Sequence, residues 1–201
     1  MDRPSLGRMP TDRRHDLVRR AAAEFAAQGY EQASLNRIIG DLRMSKSSFY
    51  YALNSKADLY DLCVADLTAE IAAASSFPTP AQFRDSFWDT AHRMIADLAV
   101  VLQRDPAYRD LGRMLYLPDA PVRTAADPGP LAAVRGWLTE VLAVGRAAGT
   151  LRADLPIDLQ AAATLALLEA FDRWGVQHPA SADDERALLA AQLDALRRFL
   201  C

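Results

Sequence analysis

The sequence predicts an all-α protein of about nine helices. Apolar residues recur at helical spacing, as at Leu17, Val18, Ala21 and Phe25 near the start of the chain. No segment of useful length shows the alternation of apolar and polar residues that a half-buried strand requires. Capping side chains, glycines and prolines separate the helical segments. We therefore expect a small N-terminal head followed by a larger helical body.

Length and composition exclude several classes of protein. The chain has 201 residues, of which 51% are hydrophobic, so it has enough apolar surface for a core and is not disordered overall. No early segment resembles a signal peptide, and no apolar run approaches the roughly 18 residues needed to cross a bilayer. We expect a soluble, cytoplasmic protein with no membrane partner. The two cysteines, Cys63 and Cys201, and the three histidines have no metal-site spacing, so we expect no metal or cofactor.

Charge is distributed unevenly along the chain. The net charge of -3 argues against a protein that is basic throughout. Through Tyr60 there are ten Lys and Arg against seven Asp and Glu, whereas the remainder holds thirteen against nineteen. Both lysines, Lys46 and Lys56, lie in the first part. The positive surplus is therefore located in the head.

Residues 34–56 are predicted to form two short helices joined by a tight turn, followed by the start of another helix. Ser34 and Ser45 lie where N-caps are expected, because a hydroxyl there accepts a hydrogen bond from an otherwise unpaired amide. Ile38 and Ile39 give the first of these helices a buried stripe. The second keeps small hydroxyls, a lysine and two tyrosines for its outer side. Such a segment is typical of a DNA-reading helix-turn-helix.

Glycines, prolines and caps set the expected boundaries. Gly29 ends the first helix, Ser55 and Asp58 form a capping box for the fourth, and Gly149 ends a helix in the body. Phe49 and Leu53, four residues apart, are expected in the core of the head. Beyond the head, helices are predicted at about 55–75, 81–104, 106–117, 131–148, 158–177 and 183–200, with an irregular loop at 118–130. The expected organisation is a flexible arm at 1–10, a head at 11–62 and a body at 63–201.

The body contains more aromatic and soft side chains than core filling alone requires, and a pocket between bundle helices commonly binds a small apolar ligand. Trp88 and His92 are the preferred candidates. They lie beside the apolar face of the helix predicted at about 81–104 and are not part of that face. For every candidate, the alternative is a place in the core. The full set is Phe87, Trp88, His92, Met94, Met114, Tyr116, Trp137, Phe171 and Trp174.

The last two predicted helices suggest a homodimer. The segment 158–177 is apolar nearly all round, which indicates burial on two sides, against its own fold and against a partner. A symmetric pairing of the two helices would form a four-helix bundle. The alternative is that both are core helices of one chain. The expected interface residues are Leu165, Leu168, Leu189, Leu193, Leu196 and Leu200.

Several short motifs of the head follow one another in a fixed order, namely Ala22–Phe25, Gly29–Tyr30, Ser34, Ile38–Ile39, Ser45–Tyr50 and Ser55–Leu59. In this order and spacing, they resemble the TetR (tetracycline repressor) family of transcriptional regulators. The resemblance covers about residues 13–62. It implies a dimeric repressor that binds a palindromic DNA operator and is released by a small-molecule effector.

The resemblance also implies roles for individual residues. Ser45, Lys46 and Ser47 begin the recognition helix and would contact base edges. Phosphate contacts are implied for Ser48, Tyr50, Tyr51 and Lys56, and the hydroxyl of the cap Ser34 could face a phosphate as well.

The chain departs from the family pattern in the turn between the two short helices, where Arg43 replaces the usual glycine. A residue other than glycine at positive φ carries a cost, although the position need not be strained, and Arg43 could instead be an additional DNA contact. Gly40 weakens its helix by roughly 1 kcal/mol relative to alanine. The smaller pair Ala52–Leu53 replaces the usual aromatic pair.

Two other classes of function compete with the regulator. A ligand-binding helical enzyme would need converging titratable groups. Glu169 and Asp172 are more typical of a solvated or locally paired face than of an acid/base pair, and no nucleophile with a base is visible. We therefore expect no enzymatic activity. The second competitor is a protein-interaction module that reuses the head for protein contacts.

Overall fold

The computed structural model describes residues 9–121, 129–178 and 182–201. Within these ranges it contains α-helices and one short 3-10 helix, with no strand, as predicted. Residues 1–8 of the expected arm and residues 122–128 of the expected loop lie outside the described part. The helices are α1 (Thr11–Gln32), α2 (Leu35–Asp41), α3 (Lys46–Ala52), α4 (Lys56–Ala74), the 3-10 helix (Pro80–Phe83), α5 (Phe87–Leu102), α6 (Pro106–Leu115), α7 (Gly129–Ala147), α8 (Ile157–Gln177) and α9 (Ala182–Leu200).

The described chain divides into two compact units. The head unit contains α1 to α4 together with α6, whereas the body unit contains the 3-10 helix, α5 and α7 to α9. The head unit is therefore larger than the expected head at 11–62, since most of α4 and all of α6 belong to it. No helix in the described ranges is both long enough and apolar enough to cross a membrane.

The core of the head unit is built on the apolar face of α1. Leu17, Ala21 and Phe25 are fully buried, as their spacing predicts. Gly29 has a φ of 79° and interrupts the helical backbone, so it ends the regular part of α1 as expected. Phe49 and Leu53 are each 1% exposed and belong to the same core, which confirms their prediction.

Helix α6 joins this core through Leu111 and Met114. It begins at Pro106, behind an N-cap in which Asp105 accepts a 2.8 Å hydrogen bond from the amide of Ala107. Asp105 also accepts a 2.8 Å hydrogen bond from Arg19 of α1, and Arg19 donates a second one of 2.8 Å to Glu70 of α4. One guanidinium therefore connects three segments of the head unit.

The helix expected at 81–104 is two elements in the structure. Pro80–Phe83 forms a 3-10 turn, and α5 begins only at Phe87. The reason is local capping. The Gln82 side chain accepts a 2.7 Å hydrogen bond from the Thr79 amide, and the Ser86 carbonyl accepts the first helical hydrogen bond of α5 from the Thr90 amide.

The body unit has a separate core around Phe83, Phe87, Leu138 and Leu142. Gly145 of α7 lies so close to this core that an added Cβ atom would be within 2.8 Å of the Phe87 ring. Glycine is therefore required there for close helix packing. Gly149, with a φ of 72°, ends α7 as predicted.

Candidate nucleic-acid interface

Two serine caps define the start of the helices α2 and α3. The Ser34 hydroxyl oxygen accepts a hydrogen bond of 3.3 Å from the amide of Arg37. The Ser45 hydroxyl oxygen accepts one of 3.1 Å from the amide of Ser48. These hydrogen bonds confirm both predicted caps. Sequence can predict such caps because each involves residues only three positions apart.

The turn between α2 and α3 requires a left-handed residue. Arg43 has a φ of 49°, and among the described residues it is the one non-glycine residue with positive φ. The turn is closed by hydrogen bonds from the Met44 amide to the Ile39 carbonyl, at 2.9 Å, and from the Arg43 amide to the Gly40 carbonyl, at 3.0 Å. The strain considered for Arg43 is thus present, and left-handed backbone at a side-chain-bearing residue costs about 1–2 kcal/mol.

Helix α3 buries one face and exposes the other. Phe49 and Ala52 point into the core, whereas Tyr50 and Tyr51 are 54% and 58% exposed. Neither tyrosine ring therefore fills the core of the head. The exposed face holds every residue expected to contact DNA from this helix, namely Ser45, Lys46, Ser47, Ser48, Tyr50 and Tyr51.

The hydroxyls at the start of α3 form a connected group. Ser45 lies 2.9 Å from the hydroxyl of Ser47 and 2.8 Å from that of Ser48. Ser47, Ser48 and Tyr51 also line a surface cleft of about 340 Å³. Arg13, from the start of α1, lines the same cleft and was not singled out from the sequence. An arginine and hydroxyls around one open cleft suit an anionic ligand such as a phosphate.

Lys56 is held within the head unit. Its ammonium donates hydrogen bonds to the carbonyls of Glu31, at 2.9 Å, and Ala33, at 3.3 Å, and lies 4.9 Å from the centre of the Tyr30 ring. Lys56 therefore fastens the start of α4 to the connection between α1 and α2. Its phosphate contact stays a prediction, and the structure adds a stabilising role that the sequence did not reveal.

The capping box expected for α4 differs in one partner. The Ser55 hydroxyl accepts a 3.1 Å hydrogen bond from the Asp58 amide, as expected. The Asp58 carboxylate, however, accepts its 2.9 Å hydrogen bond from the amide of Asn54 and not from that of Ser55. The carboxylate reaches one residue further back along the chain, so the reciprocal half of the predicted box is wrong.

A buried glutamate connects α1 to α2. Glu24 is 3% exposed, and its carboxylate accepts hydrogen bonds from the Ser34 amide at 3.1 Å and from Arg37 at 2.7 Å. Burial opposes ionisation of Glu24, but these contacts and Arg20 outweigh it and lower the pKa of the carboxyl group. Glu24 lies within the motif Ala22–Phe25, but the sequence predicted no individual role for Glu24 or Arg37. Glu24 could have been noticed, because it follows Leu17 and Ala21 at helical spacing on the buried face of α1.

The residues expected to line a ligand pocket do not form one group. Phe87 belongs to the body core, and Trp88, Met94 and Trp137 pack against it. Phe171 is half-buried, His92 is exposed, and Trp174 is 46% exposed and stacks on His178.

Met114 and Tyr116 lie in the head unit, and their place in a ligand pocket stays a prediction. Met114 is fully buried in the core of the head unit, and Tyr116 caps the end of α6 in the same unit. The sequence could not reveal this, because the fold returns α6 to α1 after the chain has passed through α5.

The indole Nε1 atom of Trp88 is buried and has no hydrogen-bond partner among the described residues.

The expected dimer residues differ in how much surface they leave for a partner. Leu165, Leu196 and Leu200 are each at most 7% exposed within a single chain, so they serve its own core and have little surface left. Their place in a dimer interface stays a prediction. Leu168, Leu189 and Leu193 are half-buried. On α8, the large apolar side chains that are exposed are those of Leu159 and Trp174.

Comparisons with known proteins agree with this architecture. The N-terminal model of the family "Bacterial regulatory proteins, tetR family" matches residues 17–63. No curated protein matches the chain in sequence. Among solved structures, a TetR family transcription regulator from Shewanella sp. PV-4 has a TM-score of 0.64 and 20% identity, over 91% of this chain and 97% of its own.

Two further solved structures are similar to the chain. A TetR regulator from Streptomyces fradiae has a TM-score of 0.63 and 21% identity, over 94% of this chain and 87% of its own. A gamma-butyrolactone receptor (ArpA-like protein) has a TM-score of 0.58 and 20% identity, over 92% of this chain and 96% of its own. These likenesses establish the fold. The chain therefore shares the fold of these TetR-family regulators, and the family model matches its head over residues 17–63.

Proposed function

We propose that the protein is a cytoplasmic, non-enzymatic repressor that binds a palindromic operator as a homodimer and leaves it when a small molecule binds the body unit. The observation that carries this proposal is the exposed face of α3. It presents Lys46 and a connected group of serine hydroxyls beside two exposed tyrosines. Hydroxyl, ammonium and phenol groups on one helix suit both base edges and phosphates.

In this proposal, the residues have two kinds of task. Ser45, Lys46 and Ser47 read base edges in the major groove, because they lie at the start of the recognition helix. Phosphates of the DNA backbone are held by Ser34, Arg43, Ser48, Tyr50, Tyr51 and Lys56.

Dimerisation follows from the geometry of palindromic DNA. Two recognition helices enter successive major grooves only when they lie about 34–36 Å apart, which requires two copies of the chain in a fixed arrangement. The supporting features are the half-buried Leu168, Leu189 and Leu193 on α8 and α9, and the exposed Leu159 and Trp174 on α8. Packed against a second copy, they would form an isologous bundle.

The effector is proposed to bind beside Trp88. A buried indole N–H without a partner costs about 1–3 kcal/mol, so a ligand oxygen that accepts its hydrogen bond would be favoured there. The fold is shared with a gamma-butyrolactone receptor, which makes a small lactone one effector class to test. Such a ligand releases DNA if it binds better to the form of the dimer in which the two heads are wrongly spaced.

The first test is DNA binding by the purified protein to the DNA that flanks its own gene. We expect specific, salt-sensitive binding by a folded dimer, measured by fluorescence anisotropy, and little discrimination when the palindrome is scrambled. Absence of specific binding by a folded dimer would refute the proposal in favour of a protein-interaction module. Turnover of a bound candidate ligand would favour the helical enzyme.

A further inference from the structure

The buried carboxylate of Glu24 has a hydrogen bond at each of its oxygens. Its Oε1 atom accepts from the Ser34 amide, at 3.1 Å, and from Nη1 of Arg37, at 2.7 Å. Its Oε2 atom accepts from Nη2 of Arg20, at 3.3 Å. A buried carboxylate is tolerated only when it is paired and hydrogen-bonded, and these three donors meet that requirement.

Arg20 extends the same set of contacts to the other end of α2. Its Nε atom donates a 2.6 Å hydrogen bond to Asp41, the last residue of that helix. Helix α2 has only seven residues and contains Gly40, so its intrinsic stability is low. Ionic contacts with α1 therefore fix both ends of α2, in addition to the apolar contacts of Ile38 and Ile39.

Arg37 is the outermost member of this cluster. Its side chain is 50% exposed, although its Nη1 atom is fixed by a carboxylate that is only 4% exposed. A guanidinium has five N–H donors in a rigid fork, so anchoring one nitrogen leaves donors that face solvent. The backbone amide of Arg37 also donates to Ser34, which places Arg37 next to an expected phosphate contact.

We propose that Arg37 contacts a DNA backbone phosphate and that the buried Glu24 is the residue that positions it. Arg37 is not among the DNA contacts expected from the sequence. The cluster of Arg20, Glu24, Arg37 and Asp41 has no net charge, so it adds little to the general positive field. It supplies instead one guanidinium that is already ordered before DNA arrives, which reduces the entropy lost on binding.

The proposal rests on the proposed DNA-binding function, and salt dependence provides the test. Operator affinity is measured by fluorescence anisotropy over a series of salt concentrations for wild type and for Arg37→Ala. We expect affinity to fall about tenfold for operator and scrambled DNA alike, since one charged hydrogen bond is lost. The slope of log affinity against log salt should become shallower by about one unit. Arg113→Ala, which removes an exposed arginine from α6, is the matched control and should leave the slope unchanged.

Glu24 is tested by a double-mutant cycle. Glu24→Leu keeps an apolar side chain in the buried site, and Glu24→Gln serves if the leucine variant does not fold, as monitored by circular dichroism. Either single variant should lose part of the affinity that Arg37→Ala loses. Because Glu24 acts through Arg37, the double variant should lose no more than Arg37→Ala alone.

The outcomes separate this proposal from the function on which it rests. If wild type binds its operator specifically but Arg37→Ala binds with the same affinity and slope, the phosphate contact is refuted and the regulator stands. If the two losses simply add in the double variant, Glu24 has only a structural role. If folded wild type binds no DNA specifically, both proposals fail.

Discussion

The hydroxyl of Tyr60 on α4 donates a 2.6 Å hydrogen bond to the backbone carbonyl of Met114 near the end of α6. Both residues are buried, at 3% and 0% exposure, although they lie 54 positions apart in the chain. The Tyr60 ring also packs edge-on against Phe25 and Tyr30, with ring centres 5.3 Å and 5.5 Å apart. This side chain therefore joins α4 and α6 to the core around α1.

Replacing Tyr60 with phenylalanine should destabilise the head unit. Tyr60→Phe keeps the ring but removes one of two donors to the Met114 carbonyl, which also accepts from the Leu117 amide, and we expect a loss of about 0.5–1.5 kcal/mol in the free energy of unfolding. Urea unfolding followed by circular dichroism measures it. Tyr50→Phe removes a hydroxyl from a tyrosine that is 54% exposed and should leave stability unchanged. Equal stabilities for all three proteins would contradict the assigned role of the hydrogen bond.

Substitutions at Arg43 separate backbone strain from DNA contact. Arg43→Gly should raise the free energy of unfolding by up to about 1 kcal/mol, because glycine adopts positive φ without strain but loses more entropy on folding. Arg43→Ala keeps a side chain at positive φ and should not gain stability. If Arg43 holds a phosphate, both variants should bind operator DNA more weakly by the same factor. Wild-type affinity in both would leave Arg43 with no part in DNA binding.

The two lysines of the head should have different effects when replaced by alanine. Lys46 is exposed on α3, so Lys46→Ala should change affinity or sequence preference among operator variants and leave stability unchanged. Lys56→Ala should weaken binding to all sequences and reduce the salt slope. It should also lower the free energy of unfolding by about 1–2 kcal/mol, because Lys56 donates to the Glu31 and Ala33 carbonyls.

Anisotropy titrations of both lysine variants on operator and scrambled DNA, with urea unfolding in parallel, provide the comparison. Identical affinities for wild type and both variants would refute the placement of these contacts. Loss of stability in Lys46→Ala would contradict its exposed position on α3.

The ionised form of Glu24 should stabilise the protein in a defined pH range. Folding lowers its pKa below the ordinary value of 4.5, so the contribution is fully present above that pH and is lost as pH falls through the folded pKa. Arg20 and Arg37, the cations that contact it, keep their charge throughout. The stability difference between wild type and Glu24→Gln should therefore be constant near neutral pH and shrink below about pH 4.5. A difference that stays constant into that acidic range, measured by urea unfolding, would contradict this assignment.

The proposed dimer contact of α8 can be tested at an exposed position. Trp174→Arg places a charge on a surface where the single chain leaves an apolar ring 46% exposed. We expect the variant dimer to dissociate at a higher protein concentration than the wild-type dimer, because an interface core excludes unpaired charge. Sedimentation velocity measures this concentration. Val134→Arg, at a residue of α7 that is 44% exposed, should have no such effect. Equal dimer stability in the two variants would place the interface elsewhere.

The local features of this protein follow from its sequence alone. Ser34 and Ser45 cap their helices as predicted, and Gly29 and Gly149 interrupt theirs, because these effects depend on side chains and backbone within a few residues. Burial of Phe49 and exposure of Tyr50 followed from helical spacing in the same way. The linked motifs of the head indicate a resemblance to the TetR family, whose N-terminal model matches residues 17–63.

Features that depend on residues distant in the chain arise only in the folded protein. Met114 packs in the core of the head unit, because α6 returns to α1 after the chain has passed through α5. Lys56 donates to the carbonyls of Glu31 and Ala33, which precede α2. Glu24 accepts from Ser34 and Arg37, which lie 10 and 13 residues further along the chain. Helical periodicity predicts that Glu24 lies on a buried face, but it does not predict which residues donate hydrogen bonds to it. Which donor meets a buried carboxylate depends on how α1 and α2 cross, and side-chain spacing along one helix carries no information about that crossing.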